Sequence, residues 1–367
     1  MKKILFLIHD LSYGGAEKVL VNLVNNLDKT KFDVTVQTLF DVGANKQYLK
    51  SDVNYIGGMK KMFRGNSTLM KFFSPKTLCK LVIKDDYDIV VSYLEGPPSR
   101  IASAYDGKNV AWLHCMHKNK EHISNSFRSI KETADCYNSF DKIICVAKTV
   151  KDNFTSLLDI KTSVDVLYNT NESQEIINKS QEKPDDLTLN KNETNIVSVG
   201  KLADIKGYDR LLEIHKKLLD DGIKNHVYIL GVGGDKDKLE TRAREFGVED
   251  SFTLLGFRDN PYKYVSKMDL YVCSSRSEGF STAVTESLIV GTPVVSTNCS
   301  GAYELLGEND EYGIVTENDE NSLYLGVKKM LTEKDLLDFY TKQAQIRGKA
   351  FSTENTTKAV ENMLLNL

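Results

Sequence analysis

The chain has 367 residues, enough for two domains of roughly 150–200 residues each. Its 41% apolar and 27% charged residues are those of an ordinary soluble globular protein. No run approaches the roughly 18 apolar residues of a membrane-spanning helix, and the formal net charge of −3 by itself decides nothing about nucleic acid.

In chain order, Met1-Lys2-Lys3 and the five apolar residues after it imitate a signal peptide. The run ends at His9-Asp10, too soon for such a peptide and with no small-residue cleavage site. Residues 3–8 instead predict a strand, and Gly14-Gly15 opens a helix over 16–27, with Val19, Leu20, Leu23, Val24 and Leu27 on one face. Strands are predicted at 32–39 and 53–56, a helix at 68–83, and strands at 88–92 and 109–113. A helix at 125–140, a strand at 141–146, a helix at 149–158 and a strand at 163–167 complete this half. Residues 171–193 are polar, contain Pro184-Asp185-Asp186 and lack periodicity, which reads as a linker region. The alternation then restarts with strand 195–199, helix 208–222, strand 227–230, helix 237–246 and strands 252–255 and 269–273. A helix through 287–290, a strand at 294–297 and helices at 321–331, 334–347 and 353–364 finish the chain. Strands that are apolar throughout and separated by helices predict parallel sheets covered on both faces. The expected fold is α/β, two Rossmann-like doubly wound domains over 1–170 and 194–350, facing each other across a central cleft.

Charge and cysteine placement add two points. Residues 1–170 carry 24 Lys and Arg against 18 Asp and Glu, whereas residues 171–367 carry 24 against 33. Within the basic half, 59–84 holds Lys60, Lys61, Arg64, Lys71, Lys76, Lys80 and Lys84, with Phe63, Phe72 and Phe73 among them and no acid. Such a stretch suits contact with an anionic membrane, and equally a solvated helix face. The six cysteines show no C-x-x-C spacing and several lie in apolar strands, so a reducing cytoplasm is expected, with neither disulfides nor zinc.

Ligands of open α/β sheets bind beyond the carboxyl ends of the strands, so the loops there carry the chemistry. After the first strand, Gly14 and Gly15 at a helix start permit close approach of a phosphate or sugar. In Trp112-Leu113-His114-Cys115-Met116-His117, His114 is a candidate for sugar contact or proton transfer. His114 and His117 have no apparent third ligand, so no metal site is expected. In Gly200-Lys201-Leu202-Ala203-Asp204-Ile205-Lys206-Gly207, two lysines suit a diphosphate leaving group, on which charge develops as its bond to a sugar breaks. Gly233, and then Phe257 and Arg258, follow the next two strands as candidate nucleotide and nucleobase contacts. Last, Glu278 stands in a strand-to-helix loop and Glu286 on the helix. Gly279, Phe280, Ser281 and Thr282 lie between them at a helix N-terminus suited to phosphate.

Gly14-Gly15-Ala16-Glu17, Gly200-Lys201 with Lys206-Gly207, and Glu278 with Glu286 resemble the signatures of family 4 (group 1) retaining glycosyltransferases. Gly291-Thr292-Pro293-Val294-Val295 and Ser300-Gly301-Ala302-Tyr303-Glu304 extend the similarity over nearly the whole chain. The resemblance implies a GT-B fold, with the donor nucleotide bound mainly by the second domain and the acceptor mainly by the first. It also implies a final helix within 351–367 packing back on the first domain, and neither metal nor cofactor. On the matching positions, Lys201 and Lys206 hold the diphosphate, Gly15 approaches it, Glu286 binds ribose, Glu278 contacts the transferred sugar and His114 lines the sugar site. The chain departs from the family in having Lys201 where Arg is frequent, and Ser281 where Pro or Gly is frequent.

Trp112-Leu113-His114 and Tyr137-Asn138-Ser139-Phe140-Asp141-Lys142 look most like bacterial capsule and exopolysaccharide enzymes. The implied activity moves a hexose or N-acetylhexosamine from a UDP-sugar to a polyprenyl-diphosphate-linked oligosaccharide. The implied location is cytoplasmic, with peripheral contact at the inner face of the cell membrane and no nucleic-acid partner. The alternatives are a GDP-mannose donor, sugar-nucleotide epimerisation, and a non-catalytic nucleotide-sugar-binding assembly protein.

Overall fold

The computed structural model describes every residue except Tyr13, Phe63, Arg64, Gly279 and Ser300, together with the side chains of all described residues but Asn66 and Lys334. Phe63, Arg64 and Gly279, singled out from the sequence, therefore lie outside the described residues. The chain divides into two compact units, one of Met1–Asn171 with Thr353–Leu367 and one of Glu172–Ser352.

The first unit is built on a seven-stranded sheet of β1 (Lys2–Ile8), β2 (Phe32–Thr38), β3 (Asn54–Ile56), β4 (Ile89–Ser92), β5 (Lys108–Leu113), β6 (Lys142–Cys145) and β7 (Val164–Val166). Every pairing is parallel, in the order β3-β2-β1-β4-β5-β6-β7. Ile4 to Ile8 are fully buried, as an apolar strand in a parallel sheet must be. The order reverses between β1 and β4, so the loops after these two strands flank the switch point where α/β sheets bind ligands.

The helix expected over 68–83 is two helices, Asn66–Met70 and Pro75–Val82. Pro75 lacks the N–H that would continue the first, and Ser74 caps the second by accepting from Thr77 N. Fully buried Arg100 braces the break, with Nη1 donating to Met70 O and Nη2 to Phe73 O, both at 2.9 Å. Its charge is met by Glu132 at 2.9 Å. Arg128 likewise donates to the carbonyls of Lys71 and Phe72.

The C-terminal helix Thr353–Leu365 belongs to this first unit. It buries Val360 and Leu364, and its Glu361 accepts from Asp28 N at 2.8 Å. Lys2 Nζ donates to Leu364 O at 3.0 Å.

The second unit carries a six-stranded parallel sheet of β8 (Thr194–Val199), β9 (Asn225–Leu230), β10 (Phe252–Gly256), β11 (Leu270–Cys273), β12 (Val294–Thr297) and β13 (Ile314–Thr316). The order β10-β9-β8-β11-β12-β13 puts its switch point between β8 and β11. The polar stretch 171–193 is more than a linker, since Ser173–Ser180 is a helix that buries Ile176 and packs on helices Tyr262–Val265 and Thr282–Val290. Its apolar face is too short to show a period. Among the described residues no helix is long and apolar enough to cross a membrane, and all six cysteines are free.

Candidate functional site

The site of the second unit grows from the two loops at its switch point. After β8 the chain runs through Gly200 to a 3-10 turn, Asp204–Lys206, and then Gly207, whose φ of +65° is left-handed. A Cβ on Gly207 would stand 2.1 Å from Ser274 O, so only glycine lets this loop lie against the one after β11. Ser274 Oγ donates to Lys206 O at 2.9 Å, and Arg276 fixes the same turn. Arg276 donates from its backbone N to Ile205 O at 2.8 Å, and its guanidinium forks onto the Asp209 carboxylate at 2.8 and 2.7 Å.

The loops are locked so that Lys206 Nζ donates to Glu278 Oε1 at 2.7 Å, an oxygen that also accepts from Ser275 Oγ at 2.6 Å. The two residues expected to hold a diphosphate and a sugar are therefore an ion pair. An ammonium has three N–H donors, so Lys206 keeps capacity for a second anion. Lys201 is exposed at the start of the same loop.

Ser281 caps the helix Thr282–Val290 by accepting from Val284 N, and Gly291, at φ +83°, ends it. The N–H groups of Thr282 and Ala283 then precede any intrahelical partner and sit at the positive end of the helix dipole. Gly348 lets the helix Lys334–Ala350 press on this one, since a Cβ there would meet Leu288 O at 2.4 Å. Phe280 packs edge-on against Phe351, with ring centroids 6.2 Å apart. One turn into the helix, Glu286 Oε1 accepts from the buried Tyr262 hydroxyl at 3.0 Å. Tyr262 and Arg276, which position Glu286 and the Lys206 turn, were not singled out from the sequence.

Two other candidates have contacts within the unit. A Cβ on Gly233 would fall 2.1 Å from Leu202 O, so this glycine lets its turn lie against the lysine loop, and Leu202 N donates to Val232 O across the contact. Arg258, expected on a nucleobase, is engaged within the unit, with Nη2 to Asp186 at 2.7 Å and Nε to Tyr264 Oη at 3.1 Å. It ties the polar stretch to the end of β10. Its neighbour Phe257, 67% exposed, is left as an open aromatic face.

In the first unit Gly14 precedes the helix Gly15–Asn26, and among the described residues the space a Cβ of Gly15 would enter is empty to 4 Å. After β4, at the switch point, stands Glu95, which sequence inspection passed over although it follows a buried strand. Its Oε1 accepts from His114 N at 2.6 Å and Cys115 N at 2.8 Å, and lies 4.0 Å from His117 Nε2. Burial raises the Glu95 carboxyl above its ordinary range.

His114 packs against Tyr93, ring centroids 4.7 Å apart, and its Nε2 is buried without a partner among the described residues. Burial holds His114 down at about 3 and His117 at about 4, against an ordinary 6.5. His114 is thus a neutral imidazole that can exchange one hydrogen bond but carries no charge near neutrality. Both pKa values are depressed in the folded chain, so the stability they confer is complete above pH 6.5 and is lost as the pH falls toward about 4. The thermal midpoint should fall over that window, and less steeply in His117→Gln. Equal slopes for the two proteins would contradict the assignment.

Lys60 and Lys61 are exposed, and no group of three or more His, Cys, Asp or Glu among the described residues is placed to hold a metal.

Comparison with known proteins places this geometry in context. Residues 13–170 match the family described as Glycosyltransferase Family 4, and residues 179–347 match Glycosyl transferases group 1. The N-acetylgalactosamine-N,N'-diacetylbacillosaminyl-diphospho-undecaprenol 4-alpha-N-acetylgalactosaminyltransferase of Campylobacter jejuni is 29% identical over 96% of each chain. The amylovoran biosynthesis glycosyltransferase AmsD of Erwinia amylovora is 23% identical over 92% of each. Among solved structures, Anabaena Alr3699/HepE in complex with UDP superposes with a TM-score of 0.78 at 20% identity, over the whole of both chains. Such neighbours are GT-B enzymes, and the two parallel-sheet units here have that fold.

Proposed function

The chain belongs to the group 1 and family 4 glycosyltransferases, and from that premise we propose that it moves a hexose or N-acetylhexosamine from a UDP-sugar to a polyprenyl-diphosphate-linked saccharide, with retention and without a metal. The observation that carries this reading is the Lys206–Glu278 pair beside the free N-terminus of Thr282–Val290. As the sugar–phosphate bond breaks, negative charge grows on the departing diphosphate. In this reading Lys206, Lys201 and the first amides of the helix receive it.

Glu286, held by Tyr262, anchors the ribose hydroxyls, and Phe257 offers a face to the base. Glu278, three residues before Ser281, contacts the transferred sugar. In the first unit, Gly15 opens a helix at the ligand-binding end of the sheet, and His114 supplies a neutral hydrogen-bonding group at the end of β5. The UDP of the Anabaena complexes and the undecaprenyl-diphosphate acceptor in the name of the Campylobacter relative support the choice of donor and acceptor. The setting is bacterial surface-polysaccharide assembly at the cytoplasmic face of the membrane.

The test is turnover of a panel of UDP-sugars and GDP-mannose, with EDTA present and the anomeric configuration of the product read by NMR. The expected result is consumption of a UDP-sugar, an α-linked product and no loss in EDTA. Use of GDP-mannose alone, an inverted anomer, or activity that EDTA abolishes and magnesium restores would each overturn the corresponding part.

A further inference from the structure

A groove of about 630 Å³ runs along the β2–β3 edge of the first unit, beneath the helices Asn66–Met70 and Pro75–Val82. It extends from Asp85 and Tyr87, before β4, to Gly57, Gly58 and Met59, beyond the carboxyl end of β3. Its volume is within the roughly 300–1,000 Å³ of small-molecule sites. Apolar side chains line most of it, among them Ile56, Met59, Leu69, Phe73, Leu81 and Val82.

The lining residues are not sealed in a core. Leu69 is 50% and Leu81 59% exposed, and Phe72 beside them is 78% exposed. A cluster of large apolar side chains left open to water at the mouth of a groove marks a binding surface. It is also rigidly built, because Arg100 and Arg128 hold four successive carbonyls of the loop that carries Phe72 and Phe73.

Charge identifies the kind of occupant. Lys84 lines the groove and exposed Lys60, Lys61, Lys76 and Lys80 lie on the same stretch, whereas among the described lining residues Asp85 is the one carboxylate, and Asp41, beside Gly57, is already paired with Lys46. An elongated apolar trough with cations about it fits an amphiphile that has a hydrocarbon chain and an anionic head. Lys60 and Lys61 follow Met59 at the carboxyl end of the sheet, the end at which Gly14 and Gly15 follow β1. A chain laid in the groove therefore delivers its charged head to the ligand-binding end of the unit.

We propose that this groove holds the isoprenoid chain of the lipid-linked acceptor, and that Lys60 and Lys61 meet its diphosphate. The proposal rests on the acceptor class assigned above.

Its test needs no turnover. A farnesyl monophosphate bearing a benzophenone is photolysed with the full-length protein in detergent, and the labelled peptides are mapped. Labelling is expected within 69–87 and is competed by farnesyl diphosphate but not by inorganic diphosphate, which has the head without the chain. Leu81→Glu, at an exposed position that folding tolerates, should reduce labelling about tenfold, the equivalent of roughly two methylenes left unburied. Labelling elsewhere, equal competition by inorganic diphosphate, or unchanged labelling of Leu81→Glu would overturn the proposal. So would a Leu81→Glu protein that loses only its binding to anionic vesicles, since that outcome makes the patch a bilayer contact. Isoprenoid labelling by a protein that glycosylates no polyprenyl-linked saccharide would defeat the acceptor reading and leave the groove standing.

Discussion

Lys206→Ala should lower kcat/KM by about 10²–10³-fold, the usual cost of removing one preorganised group that stabilises developing negative charge. Its pairing with Glu278 makes the expected pattern more specific than a simple loss. Only 24% of the lysine side chain and 14% of the Glu278 side chain reach solvent, so screening of the pair is weak. With the ammonium gone, Glu278 keeps the Ser275 hydroxyl but becomes an uncompensated carboxylate beside the proposed diphosphate site. UDP affinity should therefore fall further in Lys206→Ala than in Lys206→Ala/Glu278→Gln. Glu278→Gln alone removes the competitor for the ammonium, so UDP should bind at least as well while sugar transfer slows. Calorimetric titration with UDP separates these cases. Unchanged UDP affinity in Lys206→Ala would remove the lysine from the diphosphate.

What the sequence displays and what it hides divide along the distance between interacting residues. The cap at Ser281 and the stop at Gly291 are local chemistry, and both stand where the spacing puts them. Lys206 and Glu278 stand out in the sequence because each lies in a loop after a recognisable strand, and Glu286 because it lies on the helix that such a loop opens. Their partners are not legible. Arg276 finds Asp209, and Tyr262 finds Glu286, only once the segments after β8, β10 and β11 have been brought together by the sheet.

Glu95 escapes for a related reason. A single acid in a loop has no pattern, and its role is visible only in the backbone amides of His114 and Cys115 that it holds. Arg258 shows the converse, a side chain at a promising strand end that a distant acid, Asp186, has already engaged. Pro75 is a local stop signal inside 68–83, a stretch that reads as one helix. The structure follows the missing N–H instead.

Gly207→Ala should be among the more damaging single methyl groups in the second unit. Its left-handed φ of +65° costs an L-residue about 1–2 kcal/mol, and the new Cβ would lie 2.1 Å from the Ser274 carbonyl oxygen. That neighbour is backbone, held in turn by the loop after β11, so no rotamer change relieves the contact. A total of at least about 3 kcal/mol is expected, which for a unit of this size is a fall of roughly 6–12 °C in Tm. Gly247 supplies the control, because its φ of +64° is almost the same and, among the described residues, nothing lies within 4 Å of its Cβ direction. Gly247→Ala should then show the conformational strain alone, and the difference between the two variants measures the loop contact. Relieving the clash at 207 must push the β8 loop away from Ser274, and Lys206 is the adjacent residue. Gly207→Ala should therefore lose UDP binding at temperatures where it is still folded, whereas Gly247→Ala should keep it. Equal losses of stability in the two variants would show that the loops yield to one another, and that the lysine is not held by their contact.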